Sequence, residues 1–206
     1  MKIAPRSVLI AAWSCGWCGC IGRRSGEWWY SDLTLPAAER SATPPHGIFF
    51  GSDAAKAGLK LLNAAPAISG AEALFPLIDI LIVNETELAS YAKLEREPVD
   101  LAGISGAARR LLSRAGQCVV VTLGAAGVAL VTPEDAVSVP GRAVEVVDTT
   151  GAGDCFCGVL AALLSEAAAL PDALANANAA AALAVGHAGA ATSMPTRLEL
   201  DAFLIG

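Results

Sequence analysis

The chain has 206 residues, enough for one large domain or two small ones around a sizeable core. Hydrophobic residues make up 54% of it and charged residues 17%, which excludes global disorder, and a formal net charge of −6 argues against nucleic-acid binding through bulk electrostatics. The longest strongly apolar run, Cys155 to Leu164, stops at Ser165-Glu166, too short to span a bilayer, so a soluble protein with no membrane partner is expected.

Taken in chain order, the first 48 residues read unlike the rest. They hold Trp13, Trp17, Trp28 and Trp29 among Gly, Ser, Cys and Arg, with no helical or alternating period. They also carry five Lys/Arg against three acids, whereas residues 49–206 carry nine against seventeen. Thr43-Pro44-Pro45-His46-Gly47 closes the stretch as a breaker cluster. Residues 1–48 are therefore set apart as an atypical segment, either a small aromatic-rich module or a piece foreign to the fold that follows. Val8 to Ala12 makes a poor signal peptide, with no A-x-A-like site behind it, and a cytoplasmic location is expected. Cys15, Cys18 and Cys20 form C-x2-C-x-C, but the nearest fourth zinc ligand, His46, lies far downstream. Free thiols are the expectation for all six cysteines.

From residue 49 onward helical and strand patterns alternate, the signature of an α/β layered domain. The pattern predicts a short helix over 52–58, a strand over 59–63, a helical turn over 71–76, a strand over 78–83 and a helix over 85–92. An amphipathic helix over 104–115 follows, then strands over 118–122 and 128–132 around Gly124-Ala125-Ala126-Gly127. A β-type run over 143–147 precedes two alanine-rich helices over 153–169 and 171–185, and a Gly-rich turn leads to a short C-terminal helix.

The segment richest in chemistry is Val147-Asp148-Thr149-Thr150-Gly151-Ala152-Gly153-Asp154-Cys155-Phe156. Small residues open directly into a long helix, whose first backbone N–H groups lack partners and can hold an anion. Gly151 and Gly153 allow close approach of the backbone. Asp154 beside such an anion hole suits a general base; equally, it is an ordinary acid at a helix start, with Gly151-Ala152-Gly153 a tight turn.

Asp148 to Phe156 resembles the C-terminal signature of the PfkB-type carbohydrate kinases, with the ribokinases nearest among them. Asn63-Ala64-Ala65-Pro66-Ala67, Asn84-Glu85-Thr86-Glu87, Val121-Thr122-Leu123-Gly124-Ala125-Ala126-Gly127 and Gly189 to Pro195 resemble further family segments in the same order, from about Ser52 to the end. The resemblance implies a ribokinase-like three-layer α/β/α sandwich, truncated at the N-terminal side and lacking the family's β lid, with the nucleotide-binding and catalytic region over 49–206. It implies ATP-dependent phosphoryl transfer to a sugar hydroxyl, with D-ribose the substrate favoured by the C-terminal segment.

Residue by residue, the resemblance makes Asp154 the base facing the sugar, and Gly151, Ala152 and Gly153 the anion hole. Thr122, Leu123, Gly124, Ala125, Ala126 and Gly127 match the nucleotide loop, and Asn178 matches a side chain near the adenine. Asn84 and Glu87 match the pair organising magnesium and phosphate through water, a role that suits oxygen ligands. Read without the family, that pair is a helix cap with a first-turn acid. Asp148, Thr150, Ala184, His187, Gly189 and Ser193 match positions around a potassium ion, several through main-chain carbonyls. His187 is otherwise a surface histidine near a helix C-terminus.

Nothing in residues 1–48 resembles the family's sugar-contacting segments, and Phe49-Phe50-Gly51 stands where its sugar-contacting acid belongs. Robust turnover is not expected without a lid to exclude water or contacts to orient the hydroxyl. The alternative is a catalytically impaired remnant that binds nucleotide without phosphorylating sugar. A dinucleotide-binding dehydrogenase is disfavoured because Gly151-Ala152-Gly153 lacks the third glycine of G-x-G-x-x-G. A P-loop NTPase is excluded because no G-x-x-x-x-G-K-[ST] occurs. Family members often dimerise through the lid, which leaves a homo-oligomer open. The absent strands also imply an apolar sheet edge that residues 1–48 or a partner must cover.

Overall fold

A computed structural model describes residues 58–205 and, as backbone alone, three strands before them: β1 (Val8–Ala12), β2 (Gly19–Arg24) and β3 (Glu27–Asp32). The later strands are β4 (Leu59–Asn63), β5 (Ile80–Asn84), β6 (Cys118–Thr122), β7 (Gly127–Val131) and β8 (Ala136–Pro140). Among the described residues they form one sheet in the order β3-β2-β1-β4-β5-β6-β7-β8. The strands β1, β4, β5 and β6 run parallel, while β2 and β3 form antiparallel neighbours beyond β1.

The chain divides into two compact units, one of Arg6–Thr122 with Ala129–Val137, the other containing Leu123–Val128 and Ser138–Gly206. In the first, β5 and β6 are continuous apolar runs up to their last residues, while Lys60 interrupts β4, and the side chains of Ile80 to Val83 and Val119 to Val121 are all buried. That burial on both faces is why β5 and β6 read as unbroken hydrophobic runs rather than alternating ones. Strand β1 pairs with β4 over its whole length, Val8 opposite Leu59 through Ala12 opposite Asn63, so residues from the atypical N-terminal segment supply the hydrogen-bond partners at that edge.

The N-terminal ends of these strands are tied by polar side chains. Asp79 accepts the Lys60 amide at 2.8 Å and pairs with Arg114 and the Lys60 ammonium. Buried Gln117 accepts the amides of Ser113 and Arg114 and donates to the carbonyls of Phe75 and Ile78, so one side chain satisfies two buried carbonyls and two amides nearer the surface.

Among its described residues this unit has two helices, α1 (Glu85–Tyr91) and α2 (Leu101–Arg109), with a 3₁₀ turn over Ala71–Leu77. Expected over 104–115, α2 begins and ends earlier. Asp100 caps it by accepting the Gly103 amide at 2.7 Å, and after Arg109 the Gln117 side chain captures the next free amides.

The second unit contains α3 (Ala152–Ser165), α4 (Leu170–Val185) and α5 (Arg197–Ile205). Their shared core is Cys155, Ala179, Ala180, Ala184 and Leu200, flanked by Val159, Leu183, Phe203 and Leu204. The expectation that α3 runs to Ala169 is corrected. It stops at Ser165, where Ala167 takes a left-handed conformation (φ 63°) and the amides of Ala167 and Ala168 turn back to Leu164 and Leu163.

The strand expected over 143–147 is also corrected. Those residues form no ladder; instead the Val147 and Asp148 amides both donate to Val185 O, at 2.7 and 3.1 Å, anchoring the run to the end of α4. The strand before the site is β8, earlier in the chain. The helix expected over 52–58 and the side chains of the tryptophans and of Cys15, Cys18 and Cys20 lie outside the described residues. Cys118, Cys155 and Cys157 are free and buried. No helix among the described residues is long and apolar enough to cross a membrane.

Candidate active site

In the first unit, the C-terminal ends of the parallel strands carry three of the motifs read from the sequence. Asn63 ends β4, Asn84 ends β5 and Thr122 ends β6. Asn63 stands opposite Ile82 and Asn84 opposite Thr122 in the ladder. In open parallel sheets this is the edge where ligands bind. The Ala64-Ala65-Pro66 turn after β4 is held by Tyr91, whose hydroxyl donates to Ala64 O and accepts the Ile68 amide, both at 3.1 Å.

Asn84 and Glu87 form a capping box. Asn84 Oδ1 accepts the Glu87 amide and Glu87 Oε2 accepts the Asn84 amide, each at 2.8 Å. The helix-cap role is thus realised in full. Glu87 is only 7% exposed, and burial pushes its carboxyl above the ordinary range, although both bonds from Asn84 oppose that shift. One oxygen serves the cap and the other is left for further ligation.

In the second unit, Gly151 is the N-cap of α3 and lies in the left-handed region (φ 80°). A Cβ there would come within 3.0 Å of Ala190, so only glycine fits where the loop meets the 189–193 segment. The Ala152 amide reaches Thr149 O at 3.3 Å, and the Cys155 amide returns to Gly151 O. The amides of Gly151, Gly153 and Asp154 have no acceptor among the described residues, which is what an anion hole requires. Asp154 is exposed in the first helical turn.

Asp148 joins two of the expected cation positions. Its Oδ1 accepts the Thr150 amide and its Oδ2 the Gly189 amide, both at 2.9 Å. Ser193 is buried and its hydroxyl donates to Ala190 O, while His187 is exposed with Nδ1 3.2 Å from Leu183 O, and its amide donates to Ala184 O. The six positions therefore fall on the loop before α3, the end of α4 and the loop after it, all rich in oxygen acceptors. Among the described residues no group of three or more His, Cys, Asp and Glu is placed to hold a metal ion, so any cation there would rest chiefly on main-chain oxygen.

The residues of the nucleotide motif form a 3₁₀ turn, Gly124–Ala126, closed by a bond from the Leu123 amide to Gly127 O at 2.8 Å. Gly124, Ala125 and Ala126 are exposed. Gly127 has φ 103°, and a Cβ on it would stand 2.1 Å from Val139 O; one on Gly141 would stand 2.0 Å from Ala125 O. The turn is thus packed backbone to backbone on the end of β8. Gly141, whose amide donates to Ala126 O, is the residue that sequence reasoning missed. Pro140-Gly141 is a turn signal by itself, and nothing in it says which loop it meets. Asn178, expected near an adenine, is half-buried and donates from Nδ2 to Pro140 O at 2.9 Å.

A family model described as pfkB family carbohydrate kinase matches residues 50–197. The chain is 41% identical to aminoimidazole riboside kinase of Salmonella typhimurium over 135 residues, covering 60% of this chain and 42% of that protein. It is 36% identical to ribokinase of Haemophilus influenzae over 176 residues, covering 84% and 56%. Among solved structures, ribokinase from Thermotoga maritima superposes with a TM-score of 0.65 at 36% identity, covering 72% of this chain and 50% of that one. Arabidopsis thaliana ribokinase complexed with ribose and ATP superposes with a TM-score of 0.63 at 32% identity, covering 73% and 49%. The chain spans about half the length, or less, of the relatives it matches. With a ribokinase-like α/β fold, collinear motifs and a family match over most of its length, this chain belongs to the pfkB family of carbohydrate kinases.

Proposed function

We propose that the chain binds ATP and catalyses transfer of its γ-phosphoryl group to a hydroxyl of a small sugar, with D-ribose the first candidate. The observation that carries this reading is the exposed Asp154 carboxyl in the first turn of a helix at whose start the Gly151, Gly153 and Asp154 amides lack acceptors among the described residues. Phosphoryl transfer asks for positioning and charge stabilisation rather than covalent chemistry by the protein.

In this reading Asp154 takes the proton of the sugar hydroxyl as its oxygen attacks the γ-phosphorus, and ADP leaves. The amides of Gly151 and Gly153, with that of Ala152 once it leaves Thr149 O, donate to the charge that develops on the transferring group. Residues 122–127 carry the nucleotide. Asn84 and Glu87 orient the surroundings of a magnesium ion; the buried Glu87 carboxylate, with one oxygen outside the capping box, fits an oxygen-seeking ion that retains water. Bound Mg²⁺ would supply neutralisation of the phosphate charge. Asp148, Thr150, Ser193 and the main chain at Ala184, His187 and Gly189 would hold K⁺. The reading implies a cytoplasmic enzyme that acts on ATP and a small sugar, with a homo-oligomer compatible with it.

A second reading, nucleotide binding without sugar phosphorylation, is favoured by the sequence itself, in which Phe49-Phe50-Gly51 stands where the resemblance places a sugar-contacting acid. A coupled assay for ADP release with Mg-ATP, potassium and D-ribose decides between them. Ribose-dependent turnover that Asp154→Asn abolishes supports the kinase. Absence of turnover from folded protein that still binds ATP supports the second reading.

A further inference from the structure

We propose that Asn178 is a positioning residue that sets the nucleotide loop through the 139–142 segment rather than by touching the base. The inference rests on the reading that residues 123–127 carry a nucleotide. Three contacts of the second unit carry it. Asn178 Nδ2 donates to Pro140 O at 2.9 Å. The next residue, Gly141, donates its amide to Ala126 O at 3.1 Å. Gly127 and Gly141 pack so closely that a Cβ on either would meet the opposing backbone at about 2 Å, leaving no slack for one strand to move without the other.

Beyond Gly141, the Arg142 guanidinium lies over the Phe203 ring, 5.3 Å from its centroid. The 139–142 segment is thus held by α4 through Asn178 and by α5 through Phe203, while its other side is moulded to the loop. On α4, Asn178 stands between Ala177 and a run of alanines, so no neighbouring side chain on that stretch can replace its reach. The loop offers only main chain, glycine and alanine over 124–127, with no side chain able to read a base edge. A shift of this loop therefore weakens every nucleoside triphosphate alike, whereas loss of a contact from Asn178 to adenine weakens ATP selectively.

The test uses the full chain with Asn178→Asp, which keeps the shape but removes the donor, and Asn178→Ala, which removes it without adding charge. Amide exchange at Gly141 and titration calorimetry with ATP and with GTP are measured for each, with far-UV circular dichroism as the check on folding. The expected result is faster exchange at Gly141 and an equal loss of affinity for both nucleotides, about five- to tenfold for one hydrogen bond. Unchanged Gly141 exchange, or a loss confined to ATP, overturns the proposal. Faster exchange at Gly141 in a chain whose unsubstituted form binds neither nucleotide supports the linkage and overturns the nucleotide reading beneath it.

Discussion

The carboxylate of Asp148 accepts the amide of Gly189, a residue 41 positions later, at 2.9 Å, while its other oxygen accepts the amide of Thr150. One side chain thereby fixes the distance between the loop that opens α3 and the loop that follows α4. The Thr150 side chain, then the Thr150 and Gly189 amides, favour the ionised form and hold the Asp148 carboxyl below its usual value. A depressed carboxylate contributes stability above its unfolded pKa and loses it as pH falls through the folded one. Protection of the Gly189 amide from exchange should therefore persist at a pH where an ordinary aspartate is half protonated, and disappear only on further acidification. Asp148→Ala should remove it at every pH, as amide exchange followed by NMR would show.

Gly127→Ala should destabilise the protein by about 3 kcal/mol or more, since it combines a left-handed backbone with a collision against main chain. The added Cβ would stand 2.1 Å from Val139 O and 2.4 Å from Gly141 N, and neither is the movable end of a side chain. Gly124→Ala meets nothing within 4 Å and should cost far less, so the two urea midpoints should differ clearly although both glycines belong to the same motif.

Gln117→Leu should cost about 2–4 kcal/mol despite conserving volume, because it leaves the buried Phe75 and Ile78 carbonyls without their donor and releases the Ser113 and Arg114 amides to solvent. The site lies at the opposite ends of the strands from Asn84 and Thr122. A denaturant midpoint should therefore fall while nucleotide affinity of the remaining folded protein is unchanged.

Glu87→Gln should remove a pH dependence. Burial raises the carboxyl of Glu87, so its ionisation costs stability as pH rises from the unfolded pKa through the folded one. Glutamine keeps an oxygen for the Asn84 amide without that cost. The variant should be at least as stable as the parent at neutral pH, with a flatter stability profile above the normal glutamate range. Under the proposed function it should lose magnesium-dependent nucleotide binding in calorimetry.

The apolar runs at 59–63, 78–83 and 118–122 are legible as strands because burial on both faces leaves no polar residue within most of their length. Glu85 and Glu87 announce the start of α1 for an equally local reason, since a helix N-terminus attracts acids. The turn that opens α3 is legible too, because Gly151, Gly153 and Asp154 are close neighbours in the chain and a helix start after small residues is a local signal. Ends of elements are less so. Past the end of helix α2 the Arg110, Leu111 and Leu112 amides reach back only three residues and a glutamine eight residues past the helix takes the Ser113 and Arg114 amides, and the run over 143–147 is drawn to Val185 instead of a neighbouring strand. Both outcomes depend on partners that no local pattern reveals.

What the sequence determines by itself is therefore the set of chemical parts and their order: strand, anion loop, acid, helix, and the family they belong to. Tertiary structure alone decides which parts meet. Gly127 must be glycine because of Val139 and Gly141, Asn178 reaches Pro140 across 38 residues, and Asp148 finds Gly189 across 41. Local propensity acts within a turn or two of the chain, whereas these contacts exist only once the packed backbone has brought distant segments within hydrogen-bond distance.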